Sequence, residues 1–360
     1  IGKDAYKNTE FWNSAKSVVS ADEWVVGYVD GAAVGSVSMA GKKGIADYAF
    51  SECDTITAVT DTSDMQYIGK SAFYLSSLKS ISLGRKVTEI KPYTFYGCEL
   101  GAITLPANLT TIGRSAFYGS SLTRIDFSQS NKLERIGEYA FFSSESLERV
   151  CFGDTLKEIG DCAFYGCTVL DLSLEGSELP DSLEKIGRAA FRKCPALKTV
   201  NFGNGLKEIG AEAFSESGLV TLHLPDGLEK IGAFAFYKNV TLEELTFGTG
   251  LKEIGNYAFC SNVKLTEVAL PAGLERLGDY AFRECESLFS VTADAALQEM
   301  GLHAFYWCDF LTVYTDANAE GNSWIRFWNS SYRPVVYSCT LSEDKSYVVS
   351  MLTGNTENLS

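Results

Sequence analysis

The stretch "LKEIGNYAF", Leu251 to Phe259, decides the fold of this 360-residue chain. Its first five letters return from Leu156 to Gly160 and from Leu206 to Gly210. With the isoleucine as origin, the same register can be followed through Ile45, Ile68, Ile90, Ile112, Ile136, Ile159, Ile186, Ile209, Ile231, Ile254, Leu277 and Met300. The spacing is 22 to 24 residues, with one step of 27 where Glu175 to Pro180 adds a short loop. Five positions after each of the twelve anchors stands a phenylalanine, from Phe50 to Phe305, and alanine precedes it everywhere except at Thr94. An apolar residue lies three positions before the anchor in eleven units, Lys42 being the exception.

Self-similarity of this period means a stack of like units. Between one phenylalanine and the next anchor runs an alternating stretch such as "LKTVNFG" (Leu197 to Gly203) or "LVTLHLP" (Leu219 to Pro225). Period-two alternation closed by Gly or Pro reads as a short, half-buried strand. Each unit is then expected to hold one strand, a 3₁₀ or helical turn around "IGxxAF", and a return. A lone unit has too little interior to offset the ordering of its own backbone. It becomes stable when both flat sides are buried on neighbours, so the recurring phrase is the knob each coil presents to the next. The expected fold is an α/β solenoid of about 12 units of 22–24 residues. A parallel β-helix is the alternative, but it needs three strands per coil and one is clear.

Eight residues after the anchor comes a small polar slot: Cys53, Ser76, Cys98, Ser120, Ser144, Cys167, Cys194, Ser217, Asn239, Asn262, Cys285 and Cys308. The arrangement "IGxxAFxxC", with strands of the form "L-x-x-V-x-F", resembles the BspA-type leucine-rich repeats of bacterial surface proteins over roughly residues 45 to 315. The resemblance implies a right-handed leucine-rich repeat coil in a non-enzymatic cell-surface or extracellular adhesin. Its implied partner is a host extracellular matrix or cell-surface protein, with signal peptide and anchor outside this stretch. A rigid spacer holding another domain away from the cell is the second reading.

The ends depart from the rhythm. Residues 1–6, "IGKDAY", match the anchor phrase with Tyr6 in the phenylalanine slot, so residues 1–44 read as the end of a preceding repeat plus a capping insert. In that insert Trp24 to Val29 and Ala33 to Met39 look like a strand pair. The solenoid occupies 45–315. In 316–360, Trp324, Phe327 and Trp328 offer bulk to seal the last coil, Val335 to Tyr337 can add a strand, and "YSCTLSEDKSYVVSM" reads as a linker.

The net charge of −15 repels phosphate backbones and anionic lipid, which argues against nucleic acid and membrane insertion as partners. The two histidines, His223 and His303, are some eighty residues apart and have no partner at metal-ligand spacing. Asp61 and Asp64 lack the ligand pattern of a calcium loop, and neither a Gly-x-Ser-x-Gly elbow nor a phosphate loop is present. Neither cofactor nor metal is called for, and a monomer is expected. Of the ten cysteines six occupy the slot where Ser and Asn also serve, which favours free buried thiols over disulfides. Cys151 is expected to face outward from a strand and to react with thiol reagents before the slot cysteines.

Stacked strands align their outward residues in columns. One column contains Asp126, Cys151, Asn201 and His223; its neighbour contains Arg124, Arg149, Asp171, Glu244 and Glu267, basic early and acidic late. An ordinary solvated sheet would look much the same. The sharper reading is a graded surface that orients a partner protein, with Arg124, Asp126, Arg149, Asp171, Asn201, His223, Glu244 and Glu267 as the candidate binding residues.

Overall fold

The computed structural model describes residue 7 and residues 9–316, 329, 333–337, 339–341 and 347–349. Each coil of the solenoid has three sides. The first is a parallel ladder of two-residue strands at the anchors, and from Glu89–Ile90 to Glu299–Met300 it is one ten-stranded sheet. Anchors stand in register, as in Ile231↔Ile254 and Ile254↔Leu277, and their side chains are buried. Each anchor glycine lets its coil close onto the one before: a Cβ on Gly255 would lie 2.6 Å from the Ala233 nitrogen.

The second side carries the strands expected from the alternating stretches, among them Ser80–Ser82, Ala102–Thr104, Arg124–Asp126, Arg149–Cys151, Thr221–His223, Glu244–Thr246, Glu267–Ala269 and Ser290–Ala293. This outer sheet is broken into groups of two or four strands.

The third side corrects the expectation of helical or 3₁₀ turns. In all twelve repeats the residues three and seven positions after the anchor have positive φ, for example Tyr48 (φ 61) and Glu52 (φ 61), Glu212 (φ 60) and Glu216 (φ 56), Tyr257 (φ 57) and Ser261 (φ 62). A left-handed residue stops a helix before it can propagate. Single turns are all that remain locally, as Ala49 N–H to Ala46 O (3.3 Å) and Cys53 N–H to Phe50 O (3.3 Å). The intervening N–H groups instead reach the next coil: Tyr48 to Lys70 O (3.0 Å), Phe50 to Ala72 O (2.7 Å) and Glu52 to Tyr74 O (2.6 Å). Among the described residues the only helical stretches are Glu10–Asn13 and the 3₁₀ turn Thr62–Asp64. The protein is a parallel β-solenoid rather than an α/β one, with two strand ladders and a ladder of turns.

Inside, the twelve phenylalanine rings form one stack, with successive centroids 5.0–5.7 Å apart and planes within 14°. Beside it, from Ser144 onward, the slot side chains donate to the phenylalanine carbonyl of the coil before. Cys167 Sγ reaches Phe141 O (3.2 Å), Ser217 Oγ reaches Phe191 O (2.7 Å), Asn239 Nδ2 reaches Phe214 O (2.9 Å) and Cys308 Sγ reaches Phe282 O (3.1 Å). Cys, Ser and Asn interchange there because each supplies a short donor to a buried carbonyl.

The N-terminal insert is itself a coil. Trp24–Tyr28 pairs in parallel with Gly44–Ile45, and Gly35–Ser38 pairs in parallel with Ile56–Thr60, so the two expected strands extend separate ladders and do not pair with each other. Tyr28 continues the ring stack, 6.3 Å from Phe50. Val18–Ala21 runs antiparallel to Trp24–Tyr28. Tyr6 lies outside the described residues, as do Trp324, Phe327 and Trp328. Val335–Val336 does add a strand, beside Val313 and Tyr314. Where a linker was expected, Cys339–Leu341 pairs antiparallel with Tyr347–Val349.

Candidate functional site

The candidate residues expected from the sequence lie on the outward columns of the second side. The register builds the columns as the sequence suggests. Arg124 lies opposite Arg149 and Asp126 opposite Cys151; Thr221 lies opposite Glu244 and His223 opposite Thr246; Glu267 lies opposite Ser290. Arg124, Asp126, Asn201, His223, Glu244 and Glu267 are exposed, whereas Arg149 and Asp171 are half-buried. His223 Nδ1 is 2.8 Å from Thr246 Oγ1, a side-by-side polar contact with no third group of a catalytic relay.

The basic end of the column is engaged with its own chain. Arg124 Nη2 is 2.9 Å from Asp126 Oδ2, and Arg149 Nη2 donates to the Glu175 carbonyl. Asp126 also accepts from Ser128 N–H (2.9 Å) and Oγ (2.6 Å), and these donors with Arg124 hold its carboxyl below the usual range although partial burial works against them. Asp171 accepts from Ser173 N–H (2.8 Å) and Oγ (2.6 Å). Neither Asp171 nor Asn201 lies on a strand, because the outer sheet is interrupted on both sides of the extra loop.

That loop also corrects the placement of Cys151. Its side chain points to the outer side but is only 5% exposed. Arg124 Nη2 lies 3.9 Å from its sulfur, and a Cβ on Gly176 would lie 4.0 Å from it. Of the nine cysteines whose side chains are described, Cys162 is half-buried on the turn side, the other eight are buried, and all nine are free.

Sequence reasoning missed the turn side. The residue after the phenylalanine builds a half-buried aromatic ladder of Tyr74, Tyr96, Tyr118, Phe142 and Tyr165, with centroids 4.5–4.9 Å apart. A second ladder runs through Phe234, Tyr257 and Tyr280 at 4.8 Å and reaches His303 at 5.2 Å. The signal was present in the recurring "FYG" at Phe95, Phe117 and Phe164. Among the described residues no cluster of three His, Cys, Asp or Glu side chains could hold a metal ion, and no helix is long and apolar enough to cross a membrane.

A coil of one outer strand, one anchor strand and a turn, stacked on like coils through an aromatic column, defines a leucine-rich repeat solenoid. The chain belongs to a particular branch of that class: the family described as "BspA type Leucine rich repeat region (6 copies)" matches residues 43–171, 169–267 and 252–331. Among solved structures, a leucine-rich repeat protein from Bacteroides ovatus is similar at 24% identity and a TM-score of 0.54, covering 87% of this chain and 99% of that one. One from Eubacterium ventriosum matches at 21% identity and a TM-score of 0.50, covering 96% and 98%. A leucine rich cell surface protein from Faecalibacterium prausnitzii matches at 19% identity and a TM-score of 0.43, covering 85% and 87%. No curated protein matches the chain.

Proposed function

We propose that the chain is a non-enzymatic protein-binding module of a bacterial surface or secreted protein, and that its outer strand side engages a host matrix or cell-surface protein. The observation that supports this most is the pair of in-register outward columns holding Arg124, Asp126, His223, Glu244 and Glu267 over a core whose repeat residues are spent on stacking. Membership of the BspA-type family supports the surface location. The column carries charge of opposite sign at its two ends, which favours one orientation of a partner. Exchanging Arg124 and Arg149 for glutamate should weaken binding to a responsive member of an extracellular matrix protein panel by about tenfold at low salt. Unchanged affinity would remove the graded column from the account.

The rigid spacer is the second reading, and the unbroken ten-stranded anchor ladder favours it. Lys185–Glu208 (3.3 Å), Lys230–Glu253 (3.0 Å) and Arg276–Glu299 (3.1 Å) tie neighbouring coils together along the anchor side. Silence of the chain towards the whole panel, together with a rod-like hydrodynamic profile, would select the spacer.

A further inference from the structure

The 27-residue coil spends its additional residues on a loop that most coils lack, and the outer sheet loses its strands at residues 171–174 and 197–202 on either side. Under the loop lies a groove of about 630 Å³. Phe152, Leu179 and Phe202 give it an apolar wall, and Asp154, Glu178 and Asp181 line it with carboxylates. No lysine or arginine lines it. Arg149, at its edge, is held by the Glu175 carbonyl, and Lys157, three residues from Asp154, pairs with Glu134 at 3.4 Å. Asp181 accepts one hydrogen bond, from Asn204 N–H at 2.8 Å. Elsewhere on the solenoid acidic residues such as Glu158, Glu208, Glu212, Glu253 and Glu299 are ion-paired to a neighbouring coil.

We propose that this groove receives a lysine or arginine side chain of a partner polypeptide. The carboxylates do not converge into a cluster able to hold a metal ion. They are spread around an apolar wall, which suits a cation carried on an aliphatic stem: the stem covers Phe152, Leu179 and Phe202 while the head meets carboxylates that the chain leaves without a cation. Binding loops set on a rigid scaffold are the common location of recognition, and this loop is braced by Arg149 from below. The proposal rests on the reading of the chain as a binding module and names the chemistry of one contact within it.

The test uses the whole chain and fluorescein-labelled trilysine amide, read by anisotropy at low salt. Asp154→Asn with Glu178→Gln should weaken the peptide about tenfold, while Glu145→Gln with Glu286→Gln, which removes equal charge elsewhere on the surface, should change it less than about twofold. A peptide with 2,3-diaminopropionate in place of lysine keeps the charge but loses the stem, and should bind about fivefold or more weakly. Equal weakening by both double variants, a short-stemmed peptide as tight as trilysine, or no binding of trilysine would each overturn the proposal. The peptide reads the groove, and exchanging Glu244 and Glu267 for lysine, at the acidic end of the column and outside the groove lining, reads the column, so the two can fail separately.

Discussion

The anchor side and the outer side of the solenoid are built from the same coils yet respond differently to the same insertion. At Glu175 to Pro180 the anchor ladder continues without a gap, Ile159 opposite Ile186 and Ile186 opposite Ile209. The outer sheet falls apart over the same coils. The loop enters after the outer strand and before the next anchor, so it displaces only the outer side, while the ring stack passes from Phe164 to Phe191 at 5.2 Å. The lesson is a division of labour within each coil. The anchor and turn sides fix the spacing of the stack, and the outer side is free to vary, which is the condition for carrying a ligand.

If that division holds, the largest loss of stability should come from the ring stack. Phe214 is fully buried between Phe191 at 5.1 Å and Phe236 at 5.4 Å. Phe214→Ala should cost about 3–5 kcal/mol in chemical denaturation, the range for a buried aromatic removed from a packed core. Leu245→Ala, on an outer strand and 8% exposed, should cost less, about 2–3 kcal/mol. An outer-side loss equal to that at Phe214 would break the comparison.

Next comes the donor ladder. Asn239 is fully buried and donates to the Phe214 carbonyl. Asn239→Ala leaves that carbonyl without a partner, at about 1–3 kcal/mol. Asn239→Ser should recover part of the loss, since Ser217 makes the same bond to Phe191 O at 2.7 Å. A serine variant no better than alanine would show that the slot is chosen for volume and not for hydrogen bonding.

How much of this was legible follows from which positions speak through residue type. The stack was legible because phenylalanine and the small polar slot recur at fixed offsets, and the interchange of Cys, Ser and Asn in that slot already favoured free thiols over disulfides. The turn side was not. Its left-handed positions are filled by Tyr93, Lys193, Glu216, Phe234 and Trp307 as well as by Gly97, Gly119 and Gly166, and most of those residue types give no hint of positive φ. Hydrogen bonds to the next coil impose the conformation, a tertiary cause that local sequence does not carry. The outward columns were correct in register, yet the covering of Cys151 and the loss of strand at Asp171 and Asn201 depend on how the loop folds back, which spacing alone does not state.

The buried thiols give the comparison a pH axis. Burial pushes Cys98 from 9.0 up to about 11 and Cys194 up to about 12, and raises Cys167 and Cys285 well above their ordinary value. The folded chain therefore holds these protons more tightly than the unfolded chain does. The stability they confer is fully present below about pH 9 and is lost as pH rises from there towards 11 and 12. Urea midpoints should be level from pH 6 to 8 and fall above 9, and Cys98→Ser with Cys194→Ser should flatten the fall while keeping a donor in each slot. At neutral pH a thiol reagent should reach Cys162 before the slot cysteines, since it is half-buried where they are buried; earlier labelling of Cys194 would show that the stack opens.

The smallest effect is expected from the charges that decorate the anchor side. Arg276 lies between Glu253 and Glu299, at 3.2 and 3.1 Å, and so ties together three successive coils. All three side chains are substantially exposed, at 44%, 29% and 43%, where solvent and salt screen the attraction. Arg276→Met keeps most of the aliphatic stem and should cost about 0–1 kcal/mol, falling towards zero in 0.5 M salt. The backbone ladder already sets the register there, Arg276 opposite Glu253 and Glu299, so the ion pairs follow the stacking and do not create it. A loss larger than that at Asn239, persisting in high salt, would reverse the order and make charge rather than the ring stack the element that fixes one coil on the next.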